Sequence, residues 1–548
     1  MALKRWLTFA PAALCGGLTF AFLLATMPRD LNVFDEGIVL TNAMRMAAGE
    51  LVHRDFYSSY GPAQYAIVAA VLGLFDGSFI AERIYDLAVK AAICTAVFSI
   101  GLRVCRLWVA GLASAVCAIM LAGSNSFLYP VFPCILLALA ATSLLARPAI
   151  GQVGPLWPSF GAGLCAGFAA LFRYDAGFFL LAANGVGVAV VAVLSDPWPA
   201  ALRRTLAIGL AYAVGAAVVF LPAAVAFLSA SPLHPFVHDI FEYTLRYYGP
   251  MRGLPFPAPW RSFAPAVYLP VVAAALAAFE VWRMSQREKA SARAGWSALA
   301  RAHLVLFGAC ALFLFTKGVV RVQPVHMLLG GVPGLVALAV VMDQWARAHS
   351  PARAYVLALF VVTAGVGSTY YEFGVSLSDR PRTLAGWLAQ GAPTGACEGV
   401  ARLKPAYARV ATTLARRTRA DEKILVALHR NDRILVNAMV LYAVARRLPA
   451  THWAQFDPGL QNRADIQAQM IDELRRGHVR FVVRDASFDS IREPNGSAQS
   501  SGVTALDDFL TAEYHAYARA GDVEIWIANT AETPPGRFDA CEAELVQS

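Results

Sequence analysis

Long apolar stretches alternate with short polar ones through the first two thirds of the chain, and the pattern changes near residue 371. A helix that crosses a bilayer needs about 20 mostly apolar residues. Eleven stretches meet or approach that length, at 7–27, 80–102, 107–124, 127–146, 157–172, 176–194, 205–229, 262–282, 302–316, 324–343 and 354–371. The first span reads as retained rather than cleaved as a signal peptide, because no small-x-small site follows Met27. Segment 63–75 (AQYAIVAAVLGLF) is apolar but too short to cross, so it reads as an interfacial helix lying on the membrane.

Past residue 371 the period changes. Lys423–Leu428, Val479–Arg484 and Asp522–Ile527 read as strands; Asp465–Arg476 and Ala505–Ala518 have helical spacing, and 493–502 (EPNGSAQSSG) reads as a surface loop. The expected fold class is a polytopic α-helical membrane protein of about 11 spans with a C-terminal extracytoplasmic α/β domain. The domains are then 1–371, a membrane body with a long first outer loop at 28–79, and 372–548, a soluble unit large enough to bury a core.

Composition supports the division. The chain of 548 residues is 58% hydrophobic and 15% charged, with a mean hydropathy of +0.52, against about 25% charged in an ordinary soluble domain. Residues 1–371 hold 25 Lys/Arg and 15 Asp/Glu; residues 372–548 hold 21 and 22. The net charge of +9 is dispersed among apolar spans, with no basic stretch interleaved with aromatics, which argues against nucleic acid. With Lys4 and Arg5 in the cytoplasm, the same side holds Arg103, Arg106, Arg147, Arg203, Arg204, Arg283, Arg287, Lys289, Arg293, Arg301, Arg347 and Arg353. An odd number of spans then puts the C-terminal unit outside, in the periplasm of a bacterial inner membrane. Of nine cysteines, seven fall in or beside spans and read as small buried hydrophobes; Cys397 and Cys541 lie in the outer unit, where a disulfide is one of two open readings.

Charges near a bilayer are costly and usually have a reason. The first outer loop reads FDEGIVLTNAMRMAAGELVHRDFYSSYGP, with Asp35 and Glu36 about eight residues beyond the first span and Asp55 after His53 and Arg54. A carboxylate there is near the membrane yet within reach of water, a position suited to a general base; these are equally readable as ordinary loop charges. Two short outer turns carry cations that the positive-inside bias does not predict: Arg173 with Asp175 in FRYDAG, and Lys317, Arg321 and His326 in TKGVVRVQPVH. An anion such as a lipid phosphate would explain them, as would bulk headgroups or the neighbouring acids. His234, His238, Asp239, Glu242 and Arg246 add polar density in a second long outer loop. Two His four apart would favour a metal only if helical, so a divalent metal stays open and no cofactor is called for. The sequence has no Walker A, GxSxG, HExxH or D-x-D motif.

These features together resemble the GT-C superfamily of polyprenyl-phosphate-sugar-dependent glycosyltransferases, in its branch related to bacterial protein O-mannosyltransferases and lipid A aminoarabinose transferases. The likeness rests on Asp35-Glu36 in the first outer loop, on AMRMAAGELVHRDFYSSYGPAQYAIVAAVLGLF, and on Arg83 in AERIYD at the start of the next span. It extends to KILVALHRNDRILVNAMVLYAVARRLPA and QMIDELRRGHVRFVV in the tail. The resemblance implies transfer of a sugar from a polyprenyl phosphate to an acceptor hydroxyl of a glycan, lipid or protein, with inversion, among membrane lipids. It implies Asp35 as base, with Glu36 orienting the acceptor or tuning the pKa of Asp35. Arg173, Lys317 and Arg321 would face the phosphate, with Arg83 and His326 in support; Asp55 and Asp175 would position these cations or the sugar. A lipid-linked substrate transporter or flippase, and an O-antigen ligase or polymerase, are the alternatives; the inverted repeats and interrupted spans that many transporters show are not apparent.

Overall fold

The structure, a computed structural model, describes residues 2–28, 30–124, 126–151, 156–288, 296–348, 350–369 and 403–531. Cys397 and Cys541 lie outside the described residues, so the disulfide question does too. Among the described residues eight helices are long and apolar enough to cross a membrane. They are α4 (Phe79–Leu102), α6 (Val131–Ala149), α8 (Tyr174–Ser195), α9 (Trp198–Ala230), α12 (Ala264–Glu288), α13 (Ala298–Phe315), α14 (Pro324–Arg347) and α15 (Pro351–Ser368). The other three expected spans are helical but have shorter apolar lengths: Ala10–Ala25 within α1 (Ala2–Ala25), α5 (Leu107–Gly123) and α7 (Trp157–Phe172). At 1.5 Å per residue, a 17-residue helix such as α5 covers about 25 Å, just under the hydrocarbon thickness. The apolar segment after the first loop forms α3 (Pro62–Leu74), at 13 residues too short to cross.

The bundle is polarised. In α14, 94% of the most apolar stretch is buried, against 11% in α9, so α14 is the central helix and α9 presents most of its surface outward. One end of the bundle gathers Arg106 and Arg347 on Asp343, at 2.9 and 2.6 Å. The opposite end carries the long loops. Beyond α9 the chain continues through α10 (Leu233–Val237), two π-helical turns (His238–Glu242 and Thr244–Tyr248) and α11 (Gly249–Arg252).

Residues 403–531 form an α/β unit around a four-stranded sheet of order β1-β2-β4-β3. The strands are β1 (Leu425–Leu428), β2 (Phe481–Asp485), β3 (Tyr514–Ala520) and β4 (Val523–Ala528); β1–β2 is parallel and the other pairs are antiparallel. The parallel pair needs a crossover, which contains α17 (Val440–Ala445) and α18 (Ala464–Arg476). Ile466, Met470 and Leu474 recur every four residues and bury one face of α18 beside Leu425, Val482 and Leu510. The helical spacing expected over Ala505–Ala518 holds only for α19 (Ala505–Glu513); Tyr514–Ala520 is strand β3, because a tight turn at Gly521 (φ 57°) pairs it with β4. The segment 493–502 is also more than a surface loop, since Asn495 Nδ2 donates to Gly253 O at 3.0 Å.

The other sheet face shares its core with the first outer loop. Helix α2 (Asp35–Ala47) buries Ile38, Val39, Leu40 and Ala43 with Val426, Val440, Leu441 and Val483, and with Tyr407 and Val410 of α16 (Pro405–Arg417). Each such aliphatic side chain contributes about 1.5–3 kcal/mol on burial. Val440 N–H donates to Val33 O at 3.0 Å, and Thr41 Oγ1 donates to Met439 O at 2.8 Å. Gly37 allows this approach: a Cβ there would lie 2.3 Å from Val440 N. Gly37→Ala is therefore expected to cost about 1–3 kcal/mol, read as a lowered Tm in detergent. Gly73→Ala, where an added Cβ meets nothing within 4 Å, is expected to leave the Tm near wild type.

Candidate functional site

The start of α2 sorts its two acids to different partners. Asn32 Oδ1 accepts from the N–H groups of Phe34 and Asp35, at 3.0 and 2.8 Å, and fixes the turn. Glu36 is fully buried. Its Oε1 and Oε2 accept from Arg83 Nε and Nη2, both at 2.9 Å, and Oε2 also accepts from Asn32 N–H at 2.8 Å. Arg83 spends its remaining donors on Pro28 O and on Asp30 O, the latter at 2.9 Å, and stacks on Phe127 at 4.4 Å. This bidentate buried pair, with Glu82 Oε1 a further 3.8 Å from Arg83 Nε, is committed to partners within the protein.

Asp35 is the opposite case. Its carboxylate accepts no hydrogen bond from any described residue. Its electrostatic neighbours are Arg252, Arg321, Asp457 and Lys317. Burial pushes its carboxyl above the ordinary range; the charge of Asp457 adds to that, and the three cations work against it.

The cations arrive from separate loops. Arg173 lies between α7 and α8 with extended backbone (φ −148°, ψ 117°). It grips Asp175 with two hydrogen bonds, at 3.0 and 2.7 Å, and stacks on Tyr60 at 5.3 Å. Gly61 seats this turn: its N–H donates to Phe172 O at 3.1 Å, and a Cβ would stand 2.1 Å from Leu171 O. Lys317 Nζ is 2.5 Å from Tyr129 Oη and 2.9 Å from His326 Nδ1. Arg321 holds Glu493 with two hydrogen bonds, at 2.7 and 2.6 Å. A bridge between Leu254 and Arg321 brings the end of the second long loop alongside, and Arg321 Nη1 donates to Arg252 O at 3.1 Å.

Arg252 is held least. Its Nη1 donates to Leu435 O at 3.2 Å, and its Nη2 stands 3.9 Å from Asp457 Oδ1, beyond hydrogen-bond range. Its Nε is buried without a partner among the described residues. Its guanidinium lies 5.9 Å over Phe34, the residue before Asp35. A buried cation with an unfilled donor is costly unless an anion meets it.

The structure thus gathers Asp35, Arg173, Asp175, Lys317, Arg321 and His326. Tyr60 and Tyr129 each lie within electrostatic reach of both Asp35 and Arg173, and Lys317 within reach of Arg173, Asp175 and Asp35. Glu36 and Arg83 adjoin the cluster as a closed pair. Asp55 is not drawn in: its carboxylate accepts from Leu51 N–H at 2.7 Å and from the Arg54 side chain. Burial pushes that carboxyl up, but Arg54, the Leu51 N–H and Arg45 together outweigh it and hold it below its usual range. His53 pairs with Asp239 at 2.8 Å, and Asp239 also meets His238 Nδ1 at 3.2 Å. Among the described residues no group of three or more His, Cys, Asp and Glu side chains gathers in a way that would hold a metal.

Arg252, Asp457, Glu493 and Tyr129 were not singled out from the sequence. Arg252 carried the signal that marked Arg321, a cation in an outer loop, but is one of several there. Nothing distinguishes Asp457 and Glu493 from the many charges of a soluble unit.

No family model matches the sequence, and no curated protein matches it. Solved structures do. ArnT from Cupriavidus metallidurans, bound to undecaprenyl phosphate, aligns with a TM-score of 0.56 at 13% identity, over 96% of this chain and 99% of that one. The archaeal oligosaccharyltransferase AglB from Archaeoglobus fulgidus, in complex with an inhibitory peptide and a dolichol phosphate, aligns at 0.51 and 12% identity, over 97% of this chain and 75% of that one. The chain has the fold these proteins share, the GT-C fold that the sequence resembles.

The closed pair yields a test. Arg83→Ala leaves Glu36 buried without its counter-charge, a change that typically costs about 3–5 kcal/mol. A sharp fall in Tm and in the yield of folded protein is expected, and a Tm within a degree of wild type would show that the pair carries little stability.

Proposed function

We propose that the protein is a membrane glycosyltransferase that moves a sugar from a polyprenyl-phosphate donor to an acceptor hydroxyl at the outer face of a bacterial inner membrane. The observation that carries this reading is Asp35, a carboxylate with no hydrogen bond from any described residue, within electrostatic reach of Arg252, Arg321 and Lys317 at the loop-bearing end of the bundle. The shared fold supports it, since two proteins of that fold were solved with polyprenyl phosphates bound.

In this reading the acceptor oxygen attacks the anomeric carbon while the bond from that carbon to the phosphate oxygen breaks. One displacement inverts the centre. The hydroxyl proton passes to Asp35, and the electron pair leaves on the phosphate. Positioned base catalysis contributes about 10²–10⁴-fold. Arg252, with its open Nε, meets the growing negative charge, and one such oriented donor is worth about 3 kcal/mol. Arg321 and Lys317 add positive potential. Arg173 and Asp175 brace the opposite wall through Tyr60, and Tyr129 and His326 hold Lys317. Glu36 and Arg83 act by fixing the turn that presents Asp35. Helix α3 lies along the interface and borders the entry of the lipid tail.

Asp35→Asn is expected to fold normally and to lose sugar transfer by about 10²-fold or more, measured with purified protein in lipid nanodiscs. Mass spectrometry of glycolipids and glycoproteins from cells with and without the gene identifies the sugar and acceptor. A base acts only when deprotonated, so kcat/KM falls as pH drops through the pKa of Asp35. Because burial raises that pKa above 3.8, the acid limb is expected above the ordinary aspartate range. Retention of full activity in Asp35→Asn would remove Asp35 from the mechanism.

A further inference from the structure

The C-terminal α/β unit reaches the site through two acids, Glu493, which holds Arg321, and Asp457, which faces Arg252. Asp457 is 5% exposed and lies between β1 and α18 in sequence. Its Oδ2 is held by Gln455 Nε2 at 2.7 Å and, more loosely, by Tyr57 Oη at 3.4 Å. Its Oδ1 faces Arg252 Nη2 at 3.9 Å. The arrangement is held from behind: Asp457 N–H donates to Gln461 Oε1 at 2.8 Å, and Gln461 Nε2 donates to Gln455 O at 2.6 Å. Arg252 therefore stands near two carboxylates, the buried Asp457 from the C-terminal unit and the half-buried Asp35 from the first outer loop, and hydrogen-bonds to neither.

We propose that Asp457 is a positioning residue of the site, holding the Arg252 guanidinium in reach of Asp35 and so coupling the C-terminal unit to the reacting end of the bundle. This rests on the reading of Asp35 as the base. The role differs from that of a gate above the membrane body. A gate changes access; Asp457 shares one cation with the base and acts on it through charge. Without the Asp457 carboxylate, Asp35 loses a neighbouring negative charge while Arg252 stays, and Asp35 holds its own negative charge to lower pH. Without Arg252, Asp35 faces Asp457 with less compensation and takes up a proton at higher pH. The other groups facing Asp35 are Arg321, Lys317 and the hydroxyls of Tyr60 and Tyr129, and they are unchanged in both variants.

The test is an infrared pH titration of the full-length protein in nanodiscs, with the Asp35 carboxyl band identified by its loss in Asp35→Asn. In Asp457→Asn the band is expected to titrate about one pH unit lower, and in Arg252→Gln about one unit higher. Asp457→Glu is expected to return it toward wild type. The acid limb of kcat/KM, with polyprenyl-phosphate sugar as donor, is expected to move in the same directions. A band that stays in place in a folded Asp457→Asn protein, or moves upward, overturns the proposal. If Asp457→Asn does not fold, a band unmoved in Arg252→Gln overturns it equally. Opposite shifts of the band support the coupling even if no sugar transfer is found; that result would count against the proposed reaction alone.

Discussion

A charge removed from water beside a bilayer has to be compensated, and this constraint organises the outer end of the molecule. Helix α4 shows it best. Over two turns it buries Glu82, Arg83, Asp86 and Lys90, and three of these tie down a separate stretch of outer chain. Arg83 takes Glu36 and the carbonyls near residue 30. Asp86 accepts from Leu128 N–H at 3.0 Å, and Lys90 donates to Ser126 O at 2.6 Å while pairing with Asp86 at 2.8 Å. One polar face of one helix thus sets both the turn that presents Asp35 and the loop that presents Tyr129. Replacing such ion pairs with apolar groups is often neutral or stabilising, so what they supply here is placement of the two loops.

The same constraint separates what is structural from what is available for chemistry. Glu36, Arg83, Arg173 and Arg321 all have their strong hydrogen bonds filled by carboxylate or guanidinium partners. Asp35 and Arg252 do not. Among the described residues, these two opposite charges share one neighbourhood without the direct contact that would neutralise them.

The membrane body was legible in the sequence because a span leaves a long apolar signature, and eight of the expected stretches are helices of sufficient length. The count was less secure where helices are short, as at Leu107–Gly123, since 17 apolar residues fit a buried helix as readily as a crossing one. In the α/β unit three of the four strands were legible within a few residues of their ends. Tyr514–Ala520 misread because HAYARA carries helix-compatible residues, and a turn at Gly521 decides its pairing from outside. At the site, the doublet Asp35-Glu36 stood out from its position, yet its members differ in kind, and that difference depends on Arg83 lying 47 residues away. Arg252 and Asp457 were hidden because each has meaning only through the other, across 205 residues of chain.

That distance also bears on how the two parts of the chain depend on each other. The apolar face of α2 packs with Val426, Val440 and Val483 of the α/β unit, while the acids at its first turn face α4 and the cation cluster. A helix fixed on both sides cannot follow a rigid-body displacement of the α/β unit without breaking either the buried Glu36–Arg83 pair or the core around Ile38. Each break costs several kcal/mol, comparable to a large part of a domain's stability. Opening of the site to a large acceptor is therefore better assigned to segments held by fewer contacts. The stretch at Glu493–Asn495 is tied to the membrane side mainly by polar contacts, an ion pair with Arg321 and a hydrogen bond to Gly253 O, with Gly496 beside it close against Pro250 and Met251.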